Sequence, residues 1–283
     1  MVPIDVLVAF VREDAPEGDC TTDAVIPETV CHAVIRAKAT GIIAGIAEAA
    51  ALFEHYGVQA LFAAKDGAWV QEGETVLEMN GDARAILLVE RTALNLIGRM
   101  SGIATATYAA VAAVRDASPP VRIAGTRKTA PGLRRFDKKA IVLGGGDPHR
   151  LSLSDQVLIK DNHLALVPLA DAIARARART VYKRIEVEVE TAADAVAAAH
   201  AGADIIMLDN MDASSIREAI TALEEQGLRD QVVIEISGGI DGRDLGELAA
   251  LGADVISMGR LTHSVINFDV SLELQPAIKT ISI

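Results

Sequence analysis

From about residue 120 onward, short and nearly all-apolar runs alternate with amphipathic stretches of helical spacing. The runs are Val121–Ala124, Gln156–Ile159, Ile185–Val189, Ile205–Leu208, Val232–Ile236 and Val255–Met258. The stretches Ala165–Arg179, Ala192–Ala201, Ala213–Gln226 and Gly242–Leu251 predict helices between them. Apolar strands alternating with helices predict a parallel sheet buried on both faces. Polar residues recur where each strand runs out: Thr126-Arg127-Lys128, Lys160-Asp161-Asn162, Glu188 and Glu190, Asp209-Asn210, Ser237-Gly238-Gly239, Gly259-Arg260. A β/α barrel carries its site at the carboxyl ends of its strands, whereas an open sheet gathers it at one switch point. The spread of polar ends favours the barrel. This region is only about 160 residues, short of the roughly 250 usual for eight β/α units, so an incomplete, irregular barrel is expected.

The first hundred residues read differently. An amphipathic N-terminal segment runs into the turn-rich stretch Glu13–Asp23. Short β-like runs follow, such as His32–Ala37 and Thr75–Met79, with a helix at Ala47–His55 and glycines at the turns. This pattern predicts a small α+β sandwich. Glu90–Val114 has helical spacing, with Gly98 and Gly102 expected to break or kink it. The domains expected are an N-terminal sandwich (1–102), a β/α barrel (103–266) and a C-terminal tail (267–283) packing back on the first domain.

Composition narrows the function. The 283 residues are 51% hydrophobic but only 3% aromatic, so the core is built from Ala, Val, Ile and Leu. A formal charge of −12 disfavours nucleic acid and anionic membranes as partners. Two cysteines, Cys20 and Cys31, make no disulfide framework or metal motif. No signal-peptide pattern or long apolar span occurs, and a cytoplasmic enzyme is expected.

Against that acidic background, Arg127, Lys128, Arg134, His149, Arg150, Lys160 and His163 fall close together between Thr126 and His163. Cations at turns and strand ends mark a pocket for a small, highly anionic ligand. Arg offers a planar fork to a carboxylate or phosphate, and Lys a point charge. Arg127 and Lys128, if strand alternation holds, point to opposite sides and take two anionic groups. Glu186, Glu188 and Glu190 share one face of a strand, either solvated or turned to function. Asp209 on the next strand end favours function: with Glu188 it suits Mg²⁺, directly or through water, or equally ribose hydroxyls. Ser237-Gly238-Gly239 and Gly259 close successive late strands, a pattern suited to a backbone phosphate cradle. His163, His200 and His263 are expected to be structural.

These motifs, taken in order, also resemble a known family. T-R-K-T-A-P-G-L-R, G-G-G-D-P-H-R, L-I-K-D-N-H, E-V-E-V-E, L-D-N, S-G-G-I and G-R-L-T-H-S are similar to nicotinate-nucleotide pyrophosphorylase (carboxylating), or quinolinate phosphoribosyltransferase. So are the N-terminal E-D-A-P-E-G-D-C-T-T and E-R-T-A-L-N-L-I-G-R-M-S-G-I-A-T. The resemblance implies transfer of the phosphoribosyl group of phosphoribosyl pyrophosphate to quinolinate. Pyrophosphate and CO₂ leave, and nicotinate mononucleotide is formed for NAD synthesis. It implies Mg²⁺, no organic cofactor, and a homodimer or larger assembly whose active site is shared between subunits. Arg127, His149, Arg150 and Lys160 would surround quinolinate, with Arg91 lent by the partner subunit and Thr126 among the substrate-binding residues. Lys128, Glu188 and Asp209 would face ribose, pyrophosphate and Mg²⁺. Ser237, Gly238, Gly239, Met258, Gly259 and Arg260 would hold the 5′-phosphate. Lys128, Lys160, Glu188 and Asp209 form the implied catalytic set. Pro148 and Arg260 depart from the family's usual Asn and Ala. Two other classes remain open on the residues alone: a Schiff-base enzyme using Lys160, and a non-catalytic sugar-phosphate binder.

Overall fold

A computed structural model describes residues 2–240 and 244–276. The chain divides into two compact units, each drawn from separate stretches of sequence. The first comprises Met1–Tyr108, Arg135–Gly145 and Val265–Ile283; the second comprises Ala109–Arg134 and Gly146–Ser264.

The first unit is built on strands β1 (Val30–Ala37), β2 (Gly41–Ile42), β3 (Gln59–Ala63), β4 (Trp69–Val70) and β5 (Thr75–Asp82). β1 lies between β5 and the late strand Val270–Pro276, antiparallel to both, and β3 flanks β5. β2 and β4 form a separate two-stranded ribbon. Alternate β1 residues Ala33, Ile35 and Ala37 are fully buried, as period-two strand geometry requires. The tail's Val270–Pro276 thus belongs to this unit, while residues 277–283 lie outside the described residues.

The long helix is Ala83–Ala113, and it runs without interruption through Gly98 and Gly102. The expected break does not occur, and the boundary expected near 102 falls within this helix. The two glycines serve close approach instead. A Cβ on Gly102 would lie 2.2 Å from the Ile266 carbonyl oxygen, and Gly98 O accepts the Phe268 N–H at 2.9 Å. A second difference is the helix Arg134–Leu143, unforeseen in the sequence. From Arg135 it belongs to the first unit, where Phe136, Ala140 and Ile141 are buried.

The second unit holds six parallel strands: β6 (Arg122–Gly125), β7 (Val157–Ile159), β8 (Ile185–Val189), β9 (Ile205–Asp209), β10 (Val233–Ser237) and β11 (Val255–Met258). Their order is β6-β11-β10-β9-β8-β7. Sequence neighbours pair, and the first strand lies against the last; among the described residues only β6 and β7 fail to pair. This is the incomplete β/α barrel expected. Between the strands lie the helices Asp161–Leu164, Leu169–Arg179, Ala192–His200, Ala213–Glu225 and Leu245–Ala249. Gly242, the expected start of the last one, lies outside the described residues. The helix expected over Ala165–Arg179 begins at Leu169, with Pro168 at its N-cap, where a missing N–H costs no helical bond.

The two ends of these strands differ in kind. At the amino ends, Asp204 accepts the Ile185 N–H at 2.7 Å and Arg177 at 2.9 Å. Asp254 likewise accepts the Ile234 N–H at 2.7 Å and Arg229 at 3.1 Å. These repeated bonds satisfy one another and knit the sheet. The carboxyl ends are left for chemistry.

Candidate active site

A cavity of about 510 Å³ opens at the carboxyl ends of the barrel strands. Thr126, Arg127, Lys128, His149, Arg150 and Lys160 line it, and so do Glu188, Asp209, Ser237, Gly238, Gly239, Gly259 and Arg260. Two expected residues are placed elsewhere. Met258 is buried in the hydrophobic core at the end of β11, because strand alternation turns it inward. Arg91 stands exposed on the helix Ala83–Ala113 and is not among the lining residues.

The cations form one wall. β6 ends at Gly125, so strand alternation no longer governs Arg127 and Lys128, and both face the same cavity. Burial, and then the charge of Arg127, lower the Arg150 pKa. Arg127 Nε is buried with no hydrogen-bond partner. Arg134 turns away, donating to Thr129 Oγ1 at 3.0 Å. His163 is structural as expected, with Nδ1 accepting the Lys160 N–H at 2.9 Å.

Carboxylates and glycines form the other wall. Glu188 Oε2 meets Lys160 Nζ, so two of the four expected catalytic residues form an ion pair in the resting site. Asp209 Oδ2 accepts from Asn210 Nδ2 at 2.6 Å, and Asn210 itself adopts a left-handed φ of 55°. Gly238 shows why glycine is needed beside it. Its φ is +77°, and a Cβ would sit 2.3 Å from Asn210 Oδ1. Of the glutamate triplet, only Glu188 lines the cavity; Glu186 is fully buried and Glu190 is exposed beyond the end of β8.

Sequence reasoning missed Glu235 and Ser257 and gave no ligand role to Asn210 or His263; all four line the cavity. His263, expected to be purely structural, bonds Ser264 Oγ through Nδ1 at 2.7 Å. Glu235 carried a signal: a lone glutamate inside V-V-I-E-I-S demands a partner. Its partner is His149, whose Nε2 lies 3.2 Å from Glu235 Oε2 and 3.5 Å from Glu186 Oε2. Burial pulls the His149 pKa down, but the two glutamates outweigh it and push it up; burial likewise raises Glu186. The glutamates thus favour a charged ring, but a proton on Nδ1 would meet the Arg150 N–H that Nδ1 accepts at 2.7 Å, so the geometry leaves the ring proton on Nε2 alone.

Among the described residues, the buried side-chain polar atoms without partners are Arg127 Nε, Glu186 Oε1, Glu235 Oε1, Ser257 Oγ and Ser271 Oγ. All but the last belong to the cavity lining or to a residue in contact with it. Buried polar groups are ordinarily satisfied, so such a concentration marks where a ligand completes the bonding.

Family profiles match along most of the chain. Residues 19–101 match the N-terminal domain of quinolinate phosphoribosyl transferase, and residues 103–273 match its C-terminal domain. A probable nicotinate-nucleotide pyrophosphorylase (carboxylating) of Methanothermobacter thermautotrophicus is 44% identical over 275 residues, 96% of this chain and 99% of the relative. The human nicotinate-nucleotide pyrophosphorylase (carboxylating) is 37% identical over 268 residues, 94% of this chain and 89% of that one. A crystal structure of nicotinate-nucleotide pyrophosphorylase from Ehrlichia chaffeensis superposes with a TM-score of 0.91 at 31% identity, covering 97% of this chain and 99% of that one. With both domain profiles in sequence and full-length relatives at this identity, the chain belongs to the quinolinate phosphoribosyl transferase family.

Proposed function

We propose that the cavity transfers the phosphoribosyl group of phosphoribosyl pyrophosphate to quinolinate and decarboxylates the adduct, giving nicotinate mononucleotide, pyrophosphate and CO₂ for NAD synthesis. One cavity with two chemically unlike walls carries this assignment. A dicarboxylate needs the arginines and lysines. A ribose needs Glu188 and Asp209, and its 5′-phosphate the backbone at Ser237–Gly239 and Gly259. A simple phosphate binder needs no carboxylate pair.

Arg127 and Arg150 hold the quinolinate carboxylates so that the ring nitrogen faces C1 of the ribose. Lys128 neutralises charge growing on the pyrophosphate oxygen as the C1–O bond breaks and its electron pair leaves. Nitrogen supplies the pair that forms the new C1–N bond, making the ring a pyridinium. The bond to the carboxylate beside that nitrogen then breaks. Its electrons pass into the ring, CO₂ departs and a proton takes its place on carbon. The ring is its own electron sink, so the residues chiefly orient two polyanions against each other.

Glu188 and Asp209 offer hard oxygen donors on neighbouring strand ends, the donor type Mg²⁺ takes, and each keeps a second carboxylate oxygen beyond its present bond. When bound there, Mg²⁺ supplies positive charge to the pyrophosphate. The working protein is a homodimer or larger assembly, with Arg91 lent to a neighbouring subunit's cavity. Its two free cysteines suit the reducing cytoplasm.

The test is an assay of purified protein with phosphoribosyl pyrophosphate, Mg²⁺ and either quinolinate or nicotinate. Quinolinate alone should release CO₂; no turnover with either acid overturns the reading. Arg91→Ala and Lys128→Ala proteins, each inactive, should regain activity on mixing. If subunits exchange and activity stays absent, Arg91 does not act across subunits.

A further inference from the structure

Two buried carboxylates, Glu186 on β8 and Glu235 on β10, have no part in the reaction above. Both meet one ring atom, His149 Nε2. The other ring nitrogen, Nδ1, accepts the main-chain N–H of Arg150 at 2.7 Å. That bond decides between two readings of the trio. A cation site is one, since ligand atoms from His149, Glu186 and Glu235 fall within 4.8 Å of one another. A neutral imidazole that binds metal through Nε2 carries its proton on Nδ1 and donates from there. Here Nδ1 faces a donor, so it has no proton to give. Nε2 holds the ring proton and donates it to the carboxylates.

A chain of bonds then runs from the sheet to Arg150. Asp147 N–H donates to Ile123 O at 2.8 Å, and Gly125 N–H to Asp147 O at 3.0 Å, seating this segment beside β6. Asp147 Oδ1 accepts the His149 N–H at 2.7 Å. His149 sits at a left-handed φ of 54°, an uncommon conformation for a side-chain-bearing residue, held by bonds at both ends. Gln156 Nε2 in turn donates to Glu186 Oε2.

We propose that Glu235, together with Glu186, is a positioning residue for the dicarboxylate wall. The two carboxylates lock the His149 ring in its Nε2–H tautomer, and the bare Nδ1 fixes the main chain of Arg150. His149 stays in the cavity lining, and its locked ring holds Arg150 beside it. The role rests on the quinolinate reading of the cavity, but the ring geometry can be tested apart from it.

Nitrogen NMR of the full chain with ¹⁵N-labelled histidine, compared with a His149→Gln protein to identify the signals, should show Nε2 protonated and Nδ1 bare at neutral pH. A doubly protonated ring, or the opposite tautomer, overturns the lock whatever the substrate is. Calorimetry supplies the second arm, with pyridine-2,3-dicarboxylate and inorganic pyrophosphate as probes. Glu235→Leu should weaken dicarboxylate binding roughly 10- to 100-fold, the loss of one charge-assisted bond, and leave pyrophosphate binding unchanged. Glu235→Gln keeps an acceptor and should lose less; it also serves if the leucine protein fails to fold. Equal weakening of both probes, or of neither, overturns the positioning role. A wild-type protein that shows the expected tautomer but binds no dicarboxylate overturns the substrate reading and leaves the ring lock standing.

Discussion

Each unit buries a cluster of charges, and the two clusters differ in how completely they are answered. In the first unit, Asp137 is fully buried and receives Arg99 through two bonds, 2.8 and 2.9 Å long. Fully buried Glu48 takes Lys139 through both oxygens, and Asp66 takes the same ammonium at 2.7 Å. Burial opposes the charge of Lys139, yet bonds to Asp66 and Glu48 raise its pKa. In the second unit, Arg127, Glu186, Glu235 and Ser257 each keep a buried polar atom with no partner, and Arg127 works against the charge of Arg150. A satisfied buried charge is tied to the fold. An unsatisfied donor such as Arg127 Nε in the cavity wall costs stability that an anionic ligand can repay, which is how a site differs from a core.

Substitutions should therefore separate the clusters by which quantity they move. Arg127→Ala should lower kcat/KM for quinolinate roughly 30-fold to several thousand-fold, the cost of stranding a buried carboxylate. Its midpoint in urea should hold or rise, because a cation beside Arg150 is gone. A loss of stability without a loss of activity would erase the contrast. Asp137→Ala should do the reverse, costing about 3–5 kcal/mol of stability by stranding Arg99. Chemical denaturation measures it, and the remaining folded protein should turn over far more nearly as wild type. Gly238→Ala sharpens the picture within the cavity. Backbone strain and the clash with Asn210 should raise KM for phosphoribosyl pyrophosphate about 10-fold, leaving KM for quinolinate unmoved. Arg177→Ala, at the amino ends of the strands, should cost less than about 1 kcal/mol, since that pair is part-exposed, and activity assays should not detect it.

The second unit was the more legible because its strands are nearly all apolar and their ends are not. The polar ends named most of the cavity lining before any coordinates. What escaped detection did so for physical reasons. Arg134–Leu143 begins with a run of cations, so it read as part of the anion pocket rather than as a helix with a buried face. Gly98 and Gly102 read as breakers because a sequence does not distinguish a glycine that ends a helix from one that admits a neighbouring backbone. Glu235 passed unremarked inside an apolar strand, Glu186 read as one of three alternating glutamates, and only the position of His149, far off in sequence, explains them. The expectation for Arg91 rests on motif resemblance alone, since its exposure on a helix does not set it apart from a surface arginine.

The pairing of β1 with Val270–Pro276 has a consequence for how the chain comes to be folded. β1, an inner strand of the first sheet, is synthesised before the barrel, and its neighbour Val270–Pro276 after it. In between, the ribosome delivers the whole barrel. Cys31 must wait for Pro276, and Ala37 for Val270. During translation β1 therefore has one edge uncovered, an invitation to pair with the wrong strand. So long a loop is slow to close, and the order of events is imposed: the barrel can mature first, and the sandwich is sealed last. Strand pairs of the first unit thus set when a newborn molecule becomes safe from aggregation.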